Sequence, residues 1–488
     1  MNCIRFQVKT FRMAAIALTM LALFSAGAVC PAQAQTYTPL YDFGVGGNYE
    51  VNSFPIGQLA LGRDGNFYGT VQNPNGHSGI YEMTPEGVAT VLWADTSPSA
   101  TQCLTGLTLG SDGLFYGTCQ QWGGNNYQSG GSGVVFKYDP SQGQSGFTVL
   151  YSWPECNTDG PLYPNALTLG TDGNFYGSTS GNTFCPNPKG TVFKVTPTGT
   201  FTTLRAFQGT SSKDGDTPSG PLTLGANGNF YGTTELGGNI GQNGGTLYEV
   251  TPKGKVTLLY SFANTYEPAA GMTQGADGKF YGTTWEGGTY GQGTIFQLAG
   301  KKIKILHNFD QSVGNTAYPS FPLTLGTDGN FYSPSNDNSG GSYQSLFEIT
   351  AKEVYTDLFD NFSSANGWIP SSPMLLDPNG TFYGTTLQGG VYNGQSVDHG
   401  VFYSFSTGLT PYIILQFPRG TIGTSIGIFG VGLTGTTAVS FDGVDGDFTV
   451  ESDTYLTATI PAGAKTGYVT VSTPSGTLKS AVKLTVVN

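Results

Sequence analysis

The feature that most constrains this chain is a short string that recurs seven times. DGNFYGT at residues 64–70 returns with one or two changes at six further places, which begin at Asp112, Asp172, Asn227, Asp277, Asp328 and Asn379. The interval from Tyr68 to Tyr383, the first and last repeat tyrosines, divided by six gives about 52 residues. This regularity predicts an array of similar structural units.

Most repeats contain four short apolar runs. The first resembles LTLG at 222–225, the second is the Phe-Tyr string, the third resembles GTVFKV at 190–195, and the fourth resembles TLLYSF at 257–262. Asp-Gly or Asn-Gly between the first two runs favours a tight hairpin, because glycine adopts positive φ without steric penalty. Four antiparallel strands in each of seven units predict an all-β fold, a seven-bladed β-propeller.

Both faces of the second strand carry large side chains, since the neighbours Phe67 and Tyr68 point to opposite sides. A β-sandwich strand would keep one polar face, and a parallel β-helix has shorter coils without Asp-Gly hairpins, so both alternatives fit less well. The seventh repeat ends at residues 400–405 without a fourth run, and such a run stands at residues 37–43. We therefore expect the N-terminal strand to complete the last blade and leave no free edge.

On these residues the chain resembles the GloVer tandem-repeat proteins, bacterial secreted proteins described as choice-of-anchor because their C-terminal anchors vary. The resemblance covers about residues 37–409 and depends on the DGNFYGTT string followed by Gly-Gly, as at 237–238, 287–288 and 389–390. It implies a secreted repeat protein and implies no activity. The blade signatures of WD-repeat and kelch propellers are absent.

Composition and charge limit the classes of partner. Charged residues make up 11% of the chain, which excludes a coiled coil or helical bundle, and 31 Phe with 27 Tyr argue against disorder. Residues 1–34 are typical of a secretory signal, with Arg5, Lys9 and Arg12 ahead of an apolar run and Ala-Gln-Ala at 32–34. A retained membrane helix is the alternative.

Cleavage of that signal would remove three basic residues and change the net charge from −12 to −15. Such an acidic surface repels nucleic acid and anionic lipid. We expect a protein in the extracellular space, at the cell surface or in the periplasm. It would bind no nucleic acid, insert in no membrane after signal removal, and exist as a monomer.

The repeat pattern ends near residue 410, and a different pattern of apolar runs begins there. Alternating apolar runs at 411–418, 423–430, 438–441, 455–460, 467–471 and 482–487 are typical of sandwich strands. Residues 410–488 resemble an IPT/TIG domain, which implies an immunoglobulin-like β-sandwich used as a spacer or protein-contact module. Residues 35–409 form the predicted propeller.

Four cysteines remain after signal removal, and an exported chain favours disulfides. Pairing Leu109 with Leu114 across their hairpin places Cys103 almost opposite Cys119. The equivalent register in the third repeat brings Cys156 near Cys185. Both pairs are predicted disulfides. A zinc site with four cysteine ligands is the alternative, but the close Cys-x-x-Cys pairs are missing.

The connections between strands differ in length. The first and third are mostly short, whereas the second and the inter-blade connections are long and varied, and binding residues usually lie on such loops. Aromatic and acidic side chains there are candidate ligand-binding residues: Trp122, Tyr127, Trp285, Tyr290, Tyr343, Tyr392, Asp214 and Asp216. Trp368, Glu267 and Glu286 lie in the same loops. Aromatic rings beside amides and hydroxyls suit sugars, although each ring could instead fill a gap between loops.

Little in the sequence indicates catalysis. His77, His307 and His399 are the only histidines and lie in different repeats, and a packed His307 is expected. The repeat aspartates fit a structural role in turns, and neither a cofactor motif nor a metal motif occurs. The leading hypothesis is a non-catalytic binding or scaffold protein for glycan or extracellular protein. A carbohydrate-active hydrolase or lyase that uses loop carboxylates is the first alternative, and a structural envelope protein is the second.

Overall fold

The computed structural model describes most of the chain after residue 34. The described residues are 35–44, 54–73, 76–96, 103, 105–120, 133–153, 163–181, 189–209, 214–238, 244–263, 266–268, 270–313, 317–335, 344–392, 395–396 and 399–487. Gln35–Asn488 is one compact unit, and the predicted signal lies outside the described residues. Within the described ranges no helix has the length and apolar character needed to cross a membrane.

Strands dominate the described chain, and β1 (Thr36–Asp42) belongs to the last of seven antiparallel sheets. Sheet 1 contains β2 (Phe54–Leu61), β3 (Phe67–Gln72), β4 (Ser78–Met83) and β5 (Ala89–Ala94). Sheet 2 contains β6 (Leu107–Leu109), β7 (Phe115–Cys119), β8 (Val134–Tyr138) and β9 (Phe147–Ser152). Sheet 3 contains β10 (Thr168–Leu169), β11 (Phe175–Thr179), β12 (Thr191–Val195) and β13 (Phe201–Ala206). Sheet 4 contains β14 (Asp216–Leu224), β15 (Phe230–Leu236), β16 (Thr246–Val250) and β17 (Val256–Ser261).

The remaining repeats follow the same plan. Sheet 5 contains β18 (Thr273–Gln274), β19 (Phe280–Thr284), β20 (Thr294–Ala299) and β21 (Lys302–Asn308). Sheet 6 contains β22 (Thr324–Leu325), β23 (Phe331–Ser335), β24 (Ser345–Ile349) and β25 (Tyr355–Phe359). Sheet 7 contains β26 (Trp368–Pro370), β27 (Leu375–Leu376), β28 (Thr381–Gln388), β31 (Val401–Ser406) and β1. A two-stranded ribbon is formed by β29 (Val391–Tyr392) and β30 (Gln395–Ser396), and two 3₁₀ segments occupy Pro140–Gly146 and Gln311–Val313.

Strands pair in chain order within sheets 1 to 6, so the predicted four-stranded unit is confirmed. In sheet 7 the N-terminal β1 supplies the outer strand. It pairs antiparallel with β31, where Thr36 lies opposite Ser406 and Asp42 opposite Val401. The predicted contribution of the N-terminal strand to the last repeat is therefore observed.

The first hairpin of each repeat is held by the side chain of its Asp or Asn. In sheet 3, Asp172 accepts the backbone N–H of Asn174 at 3.2 Å and the hydroxyl of Tyr176 at 2.8 Å, while Gly173 has φ of +75°. The same acceptance of the N–H two residues onward occurs in all seven repeats. These contacts give the repeat aspartates a structural role.

The glycine after the repeat tyrosine leaves room for an aromatic ring. Gly177 lies opposite Phe193 of the neighbouring strand, and a Cβ on Gly177 would lie 2.5 Å from that ring. A residue with a side chain would force the ring out of the sheet's buried face.

One aromatic pair recurs at every junction between consecutive sheets. The tyrosine of one repeat packs on the phenylalanine of the next, with ring centroids 3.9–4.6 Å apart. The pairs are Tyr68–Phe115, Tyr116–Phe175, Tyr176–Phe230, Tyr231–Phe280, Tyr281–Phe331, Tyr332–Phe382 and Tyr383–Phe67. The last pair joins sheet 7 to sheet 1, so the series of contacts returns to its first member.

Five junctions also carry a hydrogen bond between first strands. The threonine of the LTLG run donates its hydroxyl to a backbone carbonyl of the next sheet, for example from Thr108 to Leu167 at 2.7 Å. The equivalent bonds join Thr168 to Leu222, Thr223 to Met272, Thr273 to Leu323, and Thr324 to Met374. In sheets 1 and 7 the equivalent residues are Ala60 and Leu375, which cannot donate.

One predicted disulfide is present. Cys103 and Cys119 are bonded, and both are buried beside the first hairpin of sheet 2. The predicted pair Cys156 and Cys185 lies outside the described residues.

The C-terminal module, residues 411–487, forms two further four-stranded antiparallel sheets and one parallel pair. The first sheet contains β32 (Ile414–Leu415), β34 (Ser425–Phe429), β37 (Phe448–Val450) and β38 (Tyr455–Thr459). The second contains β35 (Ala438–Phe441), β36 (Val444–Gly446), β39 (Val469–Thr473) and β40 (Gly476–Lys479). The parallel pair is β33 (Arg419–Thr421) with β41 (Thr485–Val487). Ile428 and Leu456 of the first sheet share one buried cluster with Val439 and Val471 of the second.

This module sits on the turns between first and second strands. Ser452 and Thr454 donate their hydroxyls to the carbonyl of Arg63 at 3.0 and 2.6 Å, and the Arg63 guanidinium lies 4.5 Å from the centre of the Tyr455 ring. The backbone N–H of Tyr412 donates to Pro378 in sheet 7 at 2.9 Å. The module therefore covers the end of the sheets where the short first turns lie.

Loss of the N-terminal strand should destabilise the repeat region. We expect deletion of residues 35–44 to lower the melting temperature sharply, because β1 fills the outer edge of sheet 7 and Phe43 is 2% exposed. Phe43→Ala should lower the free energy of unfolding by about 3–5 kcal/mol in urea titration. Val354→Ala is the control, since Val354 is 56% exposed and should change stability by less than about 0.5 kcal/mol. Equal effects of the two substitutions would contradict a stabilising role of the N-terminal segment 35–44.

The hydrogen bond between first strands can be tested by Thr168→Val, which keeps the shape of the side chain and removes the donor. We expect a loss of about 1–3 kcal/mol in the free energy of unfolding, because the Leu222 carbonyl loses that donor. Thr148→Val on the exposed face of β9 is the matched control and should have little effect. A neutral Thr168→Val would show that the bond contributes no stability.

Candidate functional site

The long-loop end is the end of the sheets that carries the second connection of each repeat and the connections between repeats. Antiparallel pairing places both kinds of connection at the end opposite the short first turns. Of the predicted binding residues, Trp122, Tyr127 and Tyr343 lie outside the described residues. Tyr392 belongs to β29, and its side chain is outside the description.

A cleft of about 380 Å³ lies at the long-loop end, where the connection between sheets 6 and 7 passes the start of β24. Trp368 and Phe362 supply rings to its wall, and Asp360 and Asn361 supply exposed polar groups. The size is within the range of small-ligand pockets. An aromatic surface edged by a carboxylate and amides can stack on a sugar ring and hydrogen-bond its hydroxyls.

Gln344 forms the buried side of this cleft and is 2% exposed. Its Oε1 accepts the backbone N–H of Ile369 at 2.7 Å, and its Nε2 has no hydrogen-bond partner. Ile369 has φ of +59°, a region that β-branched residues rarely adopt. A buried amide nitrogen without a hydrogen-bond partner lowers stability. A ligand oxygen that accepted from this Nε2 would offset that loss. Sequence reasoning missed Gln344, because one glutamine in a polar loop carries no distinguishing pattern.

The predicted aromatic surface is only partly exposed. Tyr290 is 56% exposed, and it is the one aromatic side chain in the described ranges that exceeds one-third exposure. Trp285 is half-buried, and its ring lies 5.4 Å from that of Tyr318. Trp285 therefore fills part of the gap between loops, whereas Tyr290 is accessible to a ligand.

Acidic residues at this end fall into two groups. Asp216 is 6% exposed and bonds to the Lys189 ammonium at 2.6 Å, and Asp214 pairs with Arg205. These ion pairs occupy the two aspartates that the sequence indicated as binding candidates. They fix the loop ahead of sheet 4 rather than offering free carboxylates.

Glu235, Glu267 and Glu286 form the second group, beside Trp285. Burial, and then the charge of Glu267, raises the pKa of Glu235 above its ordinary value. Burial and the charge of Glu286 raise the pKa of Glu267. Glu235 lies at the end of β15 and was missed by the sequence analysis, because its position in the repeat is variable. Charge interactions therefore link Glu267 to both of the other carboxyls, and acid–base catalysis uses electrostatic coupling of this type.

His307 packs between aromatic rings, as the sequence analysis expected. Its ring stacks on the Tyr355 ring, with the two ring centroids 4.0 Å apart. Tyr151 and Phe201 occupy the equivalent positions in sheets 2 and 3, and their ring centroids are also 4.0 Å apart. Burial lowers the pKa of His307 to about 4, against the opposing charge of Asp357. The imidazole is therefore a neutral packing group at neutral pH.

Comparisons with known proteins identify one matching family and two solved structures of low similarity. The sequence matches the family described as Gloeobacter/Verrucomicrobia repeat over residues 54–275, 128–333 and 263–471. A search of curated proteins found no match. A crystal structure of puromycin hydrolase is similar at 12% identity and a TM-score of 0.36; the match covers 68% of this chain and 58% of that one. A Bacteroides thetaiotaomicron VPI-5482 protein of unknown function is similar at 11% identity and a TM-score of 0.38, over 76% of both chains.

The buried histidine should make stability depend on pH. The pKa of His307 rises from about 4 in the folded chain to the ordinary histidine value of 6.5 on unfolding, so the free energy of unfolding is unaffected by this group above pH 6.5 and falls as the pH decreases towards 4. His307→Tyr keeps the stacked ring and removes this proton. We expect the two unfolding free energies to differ by a constant above pH 7, and the variant to gain relative to wild type below pH 6. Parallel pH curves would contradict the assignment.

Proposed function

The chain belongs to the Gloeobacter/Verrucomicrobia repeat family, and we propose that it is an exported, non-catalytic binding protein that recognises glycans at its long-loop end. The observation that carries this proposal is the cleft between sheets 6 and 7. There a half-buried tryptophan, Trp368, lines the same cleft as the Gln344 amide, whose Nε2 has no hydrogen-bond partner. Signal-like residues 1–34 support export, and the acidic mature chain supports an extracellular, surface or periplasmic monomer.

The proposed scaffold is a seven-bladed β-propeller in which each sheet is one blade. The support is the series of Tyr–Phe contacts that starts and ends at sheet 1, together with the pairing of β1 and β31. We propose further that residues 410–488 are an IPT/TIG-type immunoglobulin-like module. The shared core of its two sheets supports this assignment.

The position of that module favours the long-loop end as the binding surface. Residues 63 and 378 at the short turns are in contact with the module, so this end is partly covered. The opposite end carries the long connections, where side chains differ from repeat to repeat. A rigid scaffold with variable loops at one end is the common arrangement of a recognition protein.

A carbohydrate-active enzyme is the second candidate, and the group Glu235, Glu267 and Glu286 favours it. Glycoside hydrolysis uses one carboxyl with a raised pKa and one ionised carboxylate. Glu267 has a raised pKa, partly because of the charge of the neighbouring Glu286, so one of the two requirements is met. The ion-paired Asp216 is a weaker candidate for the same chemistry, because the Lys189 ammonium already contacts its carboxylate at 2.6 Å.

The test is a glycan-array screen of residues 35–488, with product analysis for every glycan that binds. We expect binding without turnover, and a loss of affinity of about tenfold in calorimetry for Trp368→Ala, because a sugar loses its stacking surface. Gln344→Met, which removes the free amide, should weaken binding by about fivefold. Val354→Ala at the opposite end is the control and should bind as wild type does.

Three outcomes would redirect the proposal. Release of reducing ends that Glu267→Gln abolishes would replace binding by catalysis. Glycan binding that is insensitive to Trp368→Ala but lost in Tyr290→Ala would move the site to sheet 5. Absence of binding to every glycan on the array would reject glycan recognition. A protein partner or a structural role in the envelope would then remain.

A further inference from the structure

The interior of the repeat region contains a chamber that is separate from the long-loop end. Two cavities of about 480 Å³ each share Gln58, Pro221, Leu375, Ile414 and Leu415 in their walls, so they are two halves of one space. First strands or the residues beside them contribute from all seven sheets. The C-terminal module supplies the remaining wall through residues 412–418, with Phe429, Ala481 and Val482.

The wall is uncharged and mostly apolar. Leucines from the LTLG runs dominate it, and Leu61, Leu109 and Leu224 are only half-buried because their side chains face the open space. No described lining residue is charged. Threonine hydroxyls in the same runs are already bonded to the next sheet, as Thr108 is to Leu167. They are poor partners for water, and apolar cavities of this kind stay dry or bind apolar molecules.

A single amide provides polarity on the module's side of the chamber. Gln416 lies in the wall, and its Nε2 is shielded from solvent without a hydrogen-bond partner. By contrast, the Gln274 amide accepts from Ala226 at 2.9 Å and donates to Gly278 at 2.9 Å. A ligand oxygen that reached this Nε2 would therefore satisfy a neutral donor that has no partner in the described structure.

We propose that this chamber is a binding site for an uncharged aliphatic molecule with one hydrogen-bonding oxygen, the chemistry of a long-chain alcohol. The leucine wall accounts for the aliphatic part, and Gln416 accounts for the oxygen. A fatty carboxylate is excluded because the wall holds no cation to compensate its charge. The site is independent of the proposed glycan cleft, which lies at the other end of sheets 6 and 7.

The experiment is calorimetry of residues 35–488 with 1-hexanol, 1-octanol and 1-decanol. We expect saturable one-to-one binding whose affinity rises about fourfold for each added CH₂ until the chamber is filled. Sodium decanoate should bind at least about tenfold more weakly, because burial of its charge opposes binding. Absence of saturable binding, or equal binding of decanoate, would overturn the proposal.

Variants locate the site. Leu109→Trp and Leu224→Trp should each fill the chamber and abolish alkanol binding, whereas Val88→Trp at a 61% exposed position is the matched control. Two separate positions keep the test valid if one variant unfolds, which melting curves would show. Gln416→Leu should reduce alkanol affinity about fivefold. Trp368→Ala should leave it unchanged, which separates this site from the glycan cleft.

A folded Trp variant that binds decanol as wild type does would overturn the assignment to the chamber. Unchanged affinity in Gln416→Leu would overturn the role of the amide. Loss of decanol binding in Trp368→Ala would place the alkanol at the long-loop end and thereby overturn the chamber site.

Discussion

The packing of each repeat tyrosine against the phenylalanine of the next repeat is the contact on which the arrangement of the sheets depends. Phe67 and Tyr68 are neighbours in one strand and face opposite sides, so a single dipeptide packs against both adjoining sheets. Each pair contributes about 0.5–1.5 kcal/mol beyond the area that it buries. Because both faces of every sheet are covered in this way, few positions remain for charge. This explains why charged residues make up only 11% of the chain.

Local signals made much of the fold predictable. The Asp-Gly hairpins, the four runs of each repeat and the Cys103–Cys119 register are set within a few residues of each other, so the sequence pattern reports them directly. The hydrogen bond from Thr168 to Leu222 was not predicted, because its acceptor is on another sheet. Strands β36 and β40 were missed for a different reason. Their sequences, VDG and GTLK, lack an apolar run. Both strands lie at the edges of their sheet. The cleft at Gln344 depends on side chains from two connections, which no local pattern brings together.

The junction of sheet 7 with sheet 1 is the exception among the repeats. Ala60 and Leu375 replace the donor threonines, and Asp377 replaces the glycine that ends the first run elsewhere. Burial raises the pKa of Asp377 to about 7, against the backbone N–H groups of Thr381 and Asn379. Other contacts take over at this place: Phe43 packs edge-on against Tyr81 at 5.2 Å, joining the segment after β1 to sheet 1. The repeat pattern therefore weakens where the N-terminal strand and the C-terminal module attach.

Stability and recognition are separated along the strands. The residues that fix the sheets, namely the turn aspartates, the tyrosines and the LTLG threonines, all belong to the first hairpin of each repeat and recur with little change. The second connections differ in length and sequence, and the recurring element within them is the Gly-Gly pair at 237–238, 287–288 and 389–390. Side chains at the long-loop end are free to differ, and Gln344 and Trp368 show the result: a buried amide whose Nε2 has no partner and a half-buried ring in the wall of one cleft. The C-terminal module packs on the short first turns for a related reason. These turns recur with little change, so they present a constant surface for the module to contact.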